Sequence, residues 1–173
     1  MPLLAACASA GNQSDTLARK LSADLLASSS ATLTLEKWCA DHNMAAEPKI
    51  VARLVRGAHK PASQETLARL GAAGTDLKYR RVQLYCGQHL FSEADNWYVP
   101  SRLTPEMNRQ LDETDTPFGK VVRPLAPYRR TFSSIMLHSP TALFEHDAVL
   151  YSSTHQPIAE VRETYQRGTL AFL

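Results

Sequence analysis

The chain alternates between two hydrophobic periods. Over 14–27 (SDTLARKLSADLLA), Leu17, Leu21 and Leu25 recur at i, i+4 and i+8 behind Ser14 and Asp15, which predicts a short amphipathic helix. Ser28–Thr32 is a polar small-residue break. Thr34 is then the expected N-cap of a second helix carrying Leu35, Trp38, Cys39 and His42 on one side, and Pro48 ends that unit. Residues 49–57 (KIVARLVRG) alternate and read as a strand, while 63–73 read as a helix opened by Ser63 and closed by Gly71. Two strand-like runs, 77–86 and 89–99, flank the turn Cys86-Gly87-Gln88-His89. Thr104, Pro105 and Glu106 then make a strong helix start. The turn TDTP leads into FGKVVRPL, a further short helix. Strand-like runs at 128–138, 143–152 and 157–166 close the chain, the last two joined by Ser153-Thr154-His155-Gln156. Strands that succeed one another through tight turns, with the helices mostly earlier, predict an α+β fold. Its antiparallel β-sheet of about six strands is backed by helices.

Strand phase singles out a few charges. Arg80 shares its face with Val82, Leu84 and Cys86, because side chains two apart point the same way. A charge turned inward must be paired or must bind something. In PIAEVRETYQ the apolar phase of Ala159 and Val161 runs on into Glu163 and Tyr165, leaving Glu160 and Arg162 on the other face. Two readings follow. Arg80 and Glu163 form a buried ion pair, or they share a pocket in which the arginine receives a carboxylate ligand and the glutamate donates a proton. Arg129 and Arg130 are adjacent, so one of them faces each side of a strand, and the pattern does not say which.

Composition narrows the classes. The 173 residues fit one domain, and 44% hydrophobic with 21% charged residues is ordinary for a globular chain. The formal charge is only +2 and no basic cluster is interleaved with aromatics, so no nucleic-acid partner is expected. No run approaches the roughly 20 apolar residues of a transmembrane helix, and neither phosphate-cradling glycine motif occurs. Leu4-Ala5-Ala6-Cys7, followed by a polar tether, has the form of a bacterial lipoprotein cleavage site. It makes Cys7 a lipidation candidate and residues 1–13 a clipped signal and tether, with the cell envelope as the location. A chance match would leave a cytoplasmic protein. Residues 14–47 then form an N-terminal helical segment, and 48–173 the main domain. Cys39 and Cys86 are candidates for one disulfide in an oxidising compartment. The rival is zinc: Cys39-Ala-Asp-His42 and Cys86-Gly-Gln-His89 are both C-x-x-H. Lacking a C-x-x-C knuckle, they are not expected to hold a metal.

The stretch RRVQLYCGQHLFSEADNWYVPSRLTPEMNRQLDETDTPFGKVV resembles the chorismate lyase family and its relative, the UTRA ligand-binding domain of transcription regulators. Arg80-Arg81-Val82-Gln83-Leu84, Val99-Pro100, Leu103 to Leu111 and Thr116-Pro117-Phe118-Gly119 match in order, within a resemblance covering roughly 48–166. The resemblance implies a six-stranded antiparallel sheet with a ligand buried beneath helical flaps. It also implies either cofactor-independent elimination of pyruvate from chorismate to give 4-hydroxybenzoate, or non-catalytic binding of an aromatic carboxylate or dicarboxylate. Arg80 would bind a carboxylate with help from Arg129 or Arg130, Phe118 and Gly119 would line the site, and Glu163 would donate the proton, with Glu160 a competitor. The arginine-rich run that the lyases carry before their last strands is replaced here by LFEHDAVLY.

Overall fold

The computed structural model describes residues 3–173, with side chains from Gly11 onward. In chain order the helices are α1 (Leu3–Ala27), α2 (Ala31–Asp41), α3 (Gln64–Leu70), α4 (Pro105–Glu113) and α5 (Phe118–Val121). The strands are β1 (Ile50–Leu54), β2 (Lys78–Cys86), β3 (His89–Tyr98), β4 (Tyr128–Met136), β5 (Ala142–Tyr151) and β6 (Pro157–Gln166). All six strands join one antiparallel sheet in the order β1-β2-β3-β6-β5-β4. The α+β architecture read from the pattern is the architecture observed.

Local chemistry explains most boundaries. Ser63 caps α3 by accepting from Thr66 N, and Gly71 ends it in the left-handed region at φ 56°. Thr104 caps α4 by accepting from Met107 N, with Pro105 in the first turn. Gly87 turns the β2–β3 hairpin, also at φ 56°. Two expectations fail. The helix expected over 14–27 begins at Leu3, so helical backbone replaces the expected tether. The N-cap of α2 is Ser30 rather than Thr34: Ser30 accepts from Leu33 N, and the Thr34 hydroxyl donates back to the Ser30 carbonyl. The side chain of Cys7 lies outside the described residues.

Register decides what the helices cover. Across the sheet Val82 faces Ala94, Ala94 faces Glu163, and Glu163 faces His146. On one side of that row lie Leu84, Ser92, Tyr165 and Phe144, and on the other Arg80, Asn96, Val161 and Ala148. At one end α1 and α2 pack Leu21, Leu25, Leu35 and Trp38 with Leu84, Phe91, Phe144 and Tyr165. At the other, Met107, Leu111, Phe118 and Val121 of α4 and α5 pack with Tyr98 and Ala159. The middle of the face lies between these two clusters. On the opposite face α3 packs Leu70 against Trp97 and Val149.

Two interactions tie α2 to the rest. The Trp38 indole donates to Thr169 O at 2.9 Å. Cys39 and Cys86 have their sulfurs at bonding distance and their Cα atoms 6.3 Å apart, within the span a disulfide bridges. His42, the neighbouring candidate ligand of a zinc site, instead stacks on Phe172 at 3.9 Å. Among the described residues no His, Cys, Asp or Glu cluster suits a metal ion, and no helix is long and apolar enough to cross a membrane.

Candidate functional site

Between the two helical clusters the sheet floors a cavity of about 670 Å³. Val82, Leu84, Ala94, Leu150 and Val161 supply an apolar floor, with Asn96 and Glu163 set into it. One wall is the α1–α2 connection and first turn of α2, Ser29–Leu33. The other is the segment from Pro117 through α5 to Arg129 at the start of β4. Small Ala94, at the centre of the middle row, helps leave the space.

An ion pair sits in this cavity. Arg129 Nη2 donates to Glu163 Oε2 at 2.9 Å, and the Tyr165 hydroxyl donates to the same oxygen at 3.1 Å. Burial works against the charge on Arg129, but the adjacent Glu163 more than offsets it and raises the guanidinium's pKa. Full burial, reinforced by the Glu163 charge, holds the Tyr165 phenol well above its usual value, so it remains a neutral donor. Behind the pair, His146 is buried, with Nε2 2.9 Å from Ser22 Oγ. Burial pushes its pKa below the ordinary histidine value, against the pull of Glu163.

Two further oxygens on the floor, Asn96 Oδ1 and Glu163 Oε1, are acceptors. Asn96 Nδ2 makes long contacts of 3.4 Å to Arg80 O and Ala94 O, which orients the amide with Oδ1 as its other end. Neither Asn96 Oδ1 nor Glu163 Oε1 accepts a hydrogen bond from the described residues. Lys120 and Arg123, exposed on the α5 wall, form no ion pair among the described residues.

The structure therefore brings together Glu163, Arg129, Phe118 and Gly119. Of the arginine pair, Arg129 faces in. Arg130 faces out, its guanidinium over the rings of Tyr128 at 5.8 Å and Tyr151 at 5.6 Å. Glu160 is on the opposite face, held by Thr66 at 3.0 Å and by two bonds from Arg69 at 2.7 and 2.9 Å.

Arg80 is the main correction. It points inward as its phase requires, yet it neither pairs with Glu163 nor lines the cavity. Its Nε donates to Leu111 O at 3.2 Å, and its Nη2 to Thr114 O at 2.9 Å and Thr116 O at 2.8 Å. The guanidinium thus satisfies carbonyls at and beyond the end of α4. It borders a separate cleft of about 240 Å³. Sequence reasoning missed Asn96, Lys120, Arg123 and the Ser29–Leu33 wall. Asn96 shares the even phase of Ala94, and Lys120 directly follows the Thr116–Gly119 turn, so both carried a signal.

No protein-family model matches the chain. Its sequence is 39% identical over 176 residues to the uncharacterized protein y4mC of Sinorhizobium fredii (strain NBRC 101917 / NGR234), covering 88% of this chain and 74% of that one. The chain belongs to the y4mC family. Its fold is similar to that of PhnF from Mycobacterium smegmatis, at a TM-score of 0.56 and 14% identity over 82% of this chain and 65% of that one. The effector domain of PhnF alone matches at a TM-score of 0.55 and 14% identity, over 80% of this chain and 88% of the domain. The chain thus spans just under two thirds of that PhnF chain and most of its effector domain. These likenesses establish the UTRA-like fold of the y4mC relative described here.

Proposed function

We propose that this y4mC-family protein binds a small organic anion in the cavity between its sheet and helices, without turning it over. The carrying observation is the cavity itself: about 670 Å³, apolar-floored, with one half-buried ion pair and, among the described residues, two unused acceptors. That is the size and composition of a small-molecule site. The likeness to a domain described as an effector domain supports the same reading. An aromatic carboxylate suits the apolar floor and the cationic wall.

Elimination of pyruvate from chorismate is the rival reading, and the geometry favours it less. Arg80 is engaged by three carbonyls away from the cavity. Glu163 Oε2 is occupied as an acceptor from both Arg129 and Tyr165. The test is calorimetric titration of the protein and of Ala94→Phe with 4-hydroxybenzoate, beside incubation with chorismate. Saturable binding by the parent, lost in a folded Ala94→Phe protein, is the expected result. Release of 4-hydroxybenzoate and pyruvate would replace binding with catalysis, and no binding of 4-hydroxybenzoate would overturn the proposal.

A further inference from the structure

The polar atoms of the cavity set the ligand's orientation, an inference that rests on the binding reading above. Among the described residues Arg129 is the one cationic side chain set beside the floor, and Glu163 already neutralises it at 2.9 Å. The floor oxygens left over are Glu163 Oε1 and Asn96 Oδ1, both acceptors, and Arg129 keeps N–H groups that Glu163 does not take. A carboxylate or phosphate offers only acceptors, so at that place it would face two oxygens and a like charge, and the guanidinium that could donate to it is already neutralised by Glu163. A hydroxyl or amino group would donate to those oxygens. The uncompensated cations are instead Lys120 and Arg123 on the exposed α5 wall.

We infer that the ligand enters with a hydrogen-bond donor foremost, given to Glu163 Oε1 and Asn96 Oδ1, and leaves its anionic group at the rim beside Lys120 and Arg123. The ligand class is then a hydroxy- or amino-substituted carboxylate with an apolar body. A simple carboxylate or a dicarboxylate does not meet this description. A site built around hydrogen-bonding a substrate hydroxyl discriminates strongly against analogues that lack it, because its own buried polar groups are left unpaired.

Three probes separate the orientations: 4-hydroxybenzoate, benzoate, and terephthalate, which carries a carboxylate at each end. The expected order of affinity is 4-hydroxybenzoate over benzoate by about tenfold or more, with terephthalate weakest. Glu163→Gln and Asn96→Leu should each shrink the preference for 4-hydroxybenzoate over benzoate. The double variant Lys120→Ala, Arg123→Ala should weaken both probes alike and reduce the salt dependence of binding. Equal affinity for benzoate and 4-hydroxybenzoate, or terephthalate as the tightest probe, would overturn the inference and leave the binding reading standing. Failure of all three to bind would overturn both.

Discussion

Arg80 shows how a buried charge can serve structure without a counter-ion. The residue is 4% exposed, and burial pulls its pKa below the usual arginine value. Its partners are the carbonyls of Leu111, Thr114 and Thr116, where the partial negative charge of a helix end also favours a cation. Truncation would leave these carbonyls short of a donor beside a void. Arg80→Ala should therefore destabilise the fold by roughly 3 kcal/mol, read as a lower denaturant midpoint at unchanged slope. Affinity for 4-hydroxybenzoate should change far less than in Arg129→Ala. Loss of affinity with unchanged stability would return Arg80 to the binding site. The inward direction of Arg80 was readable from strand alternation, because the period of two is a local property. Its partners were not, since they depend on where α4 ends over the sheet. Glu163 and Arg129 illustrate the converse: one phase was readable and the other was ambiguous, and only β-pairing put them together.

At the scale of elements, α2 is the piece whose placement the cavity depends on. Its first turn walls the cavity, and about 12 Å further along, at 1.5 Å per residue, Cys39 meets Cys86. The bridge closes a sequence separation of 47 residues. In the chain-entropy account such a loop contributes about 4 kcal/mol to stability. The prediction is that oxidised protein holds Cys39 and Cys86 in one disulfide. Peptide mapping of unreduced, denatured protein should find them linked, and reduction should lower the denaturant midpoint while Trp38 and Thr169 keep α2 docked. Free thiols at both positions after air oxidation of the native protein would contradict it. The pairing was readable as a candidate because few cysteines offer few choices. The start of α2 is not fixed by local pattern, because three serines precede Thr34 and any of them can cap. Ser30 takes the role because its hydroxyl reaches the N–H three residues on.

For the whole molecule, the two faces of the sheet carry different electrostatics, and that shapes its response to acid. On the cavity face, His146 is buried with Glu163, Arg129 and Asp147 as the charges that bear on it, beside Ser22, Tyr165 and Phe144. On the opposite face, Asp95 accepts from Lys60 at 2.9 Å and Arg81 at 3.0 Å, and also from the Tyr79 hydroxyl. Burial would raise the Asp95 pKa, but these donors more than offset it and hold it below the usual carboxylate value. Both groups therefore have folded pKa values below their unfolded ones. In each case the unfolded chain takes up the proton first, so stability present above the unfolded pKa is lost as pH falls toward the folded one. For His146 the decline begins near 6.5, with His42 shifted in the same direction by burial. For Asp95 it begins near 3.8. Denaturant midpoints measured from pH 8 down to 3 should thus fall in two stages. His146→Gln, which keeps a hydrogen-bonding group opposite Ser22 but does not titrate, should shrink the first stage and leave the second. Asp95→Asn should do the reverse, at a cost in neutral-pH stability of about 3 kcal/mol from breaking a buried charge network. A first stage of undiminished size in His146→Gln would mean that another group takes up the proton, and would remove the buried imidazole from this account.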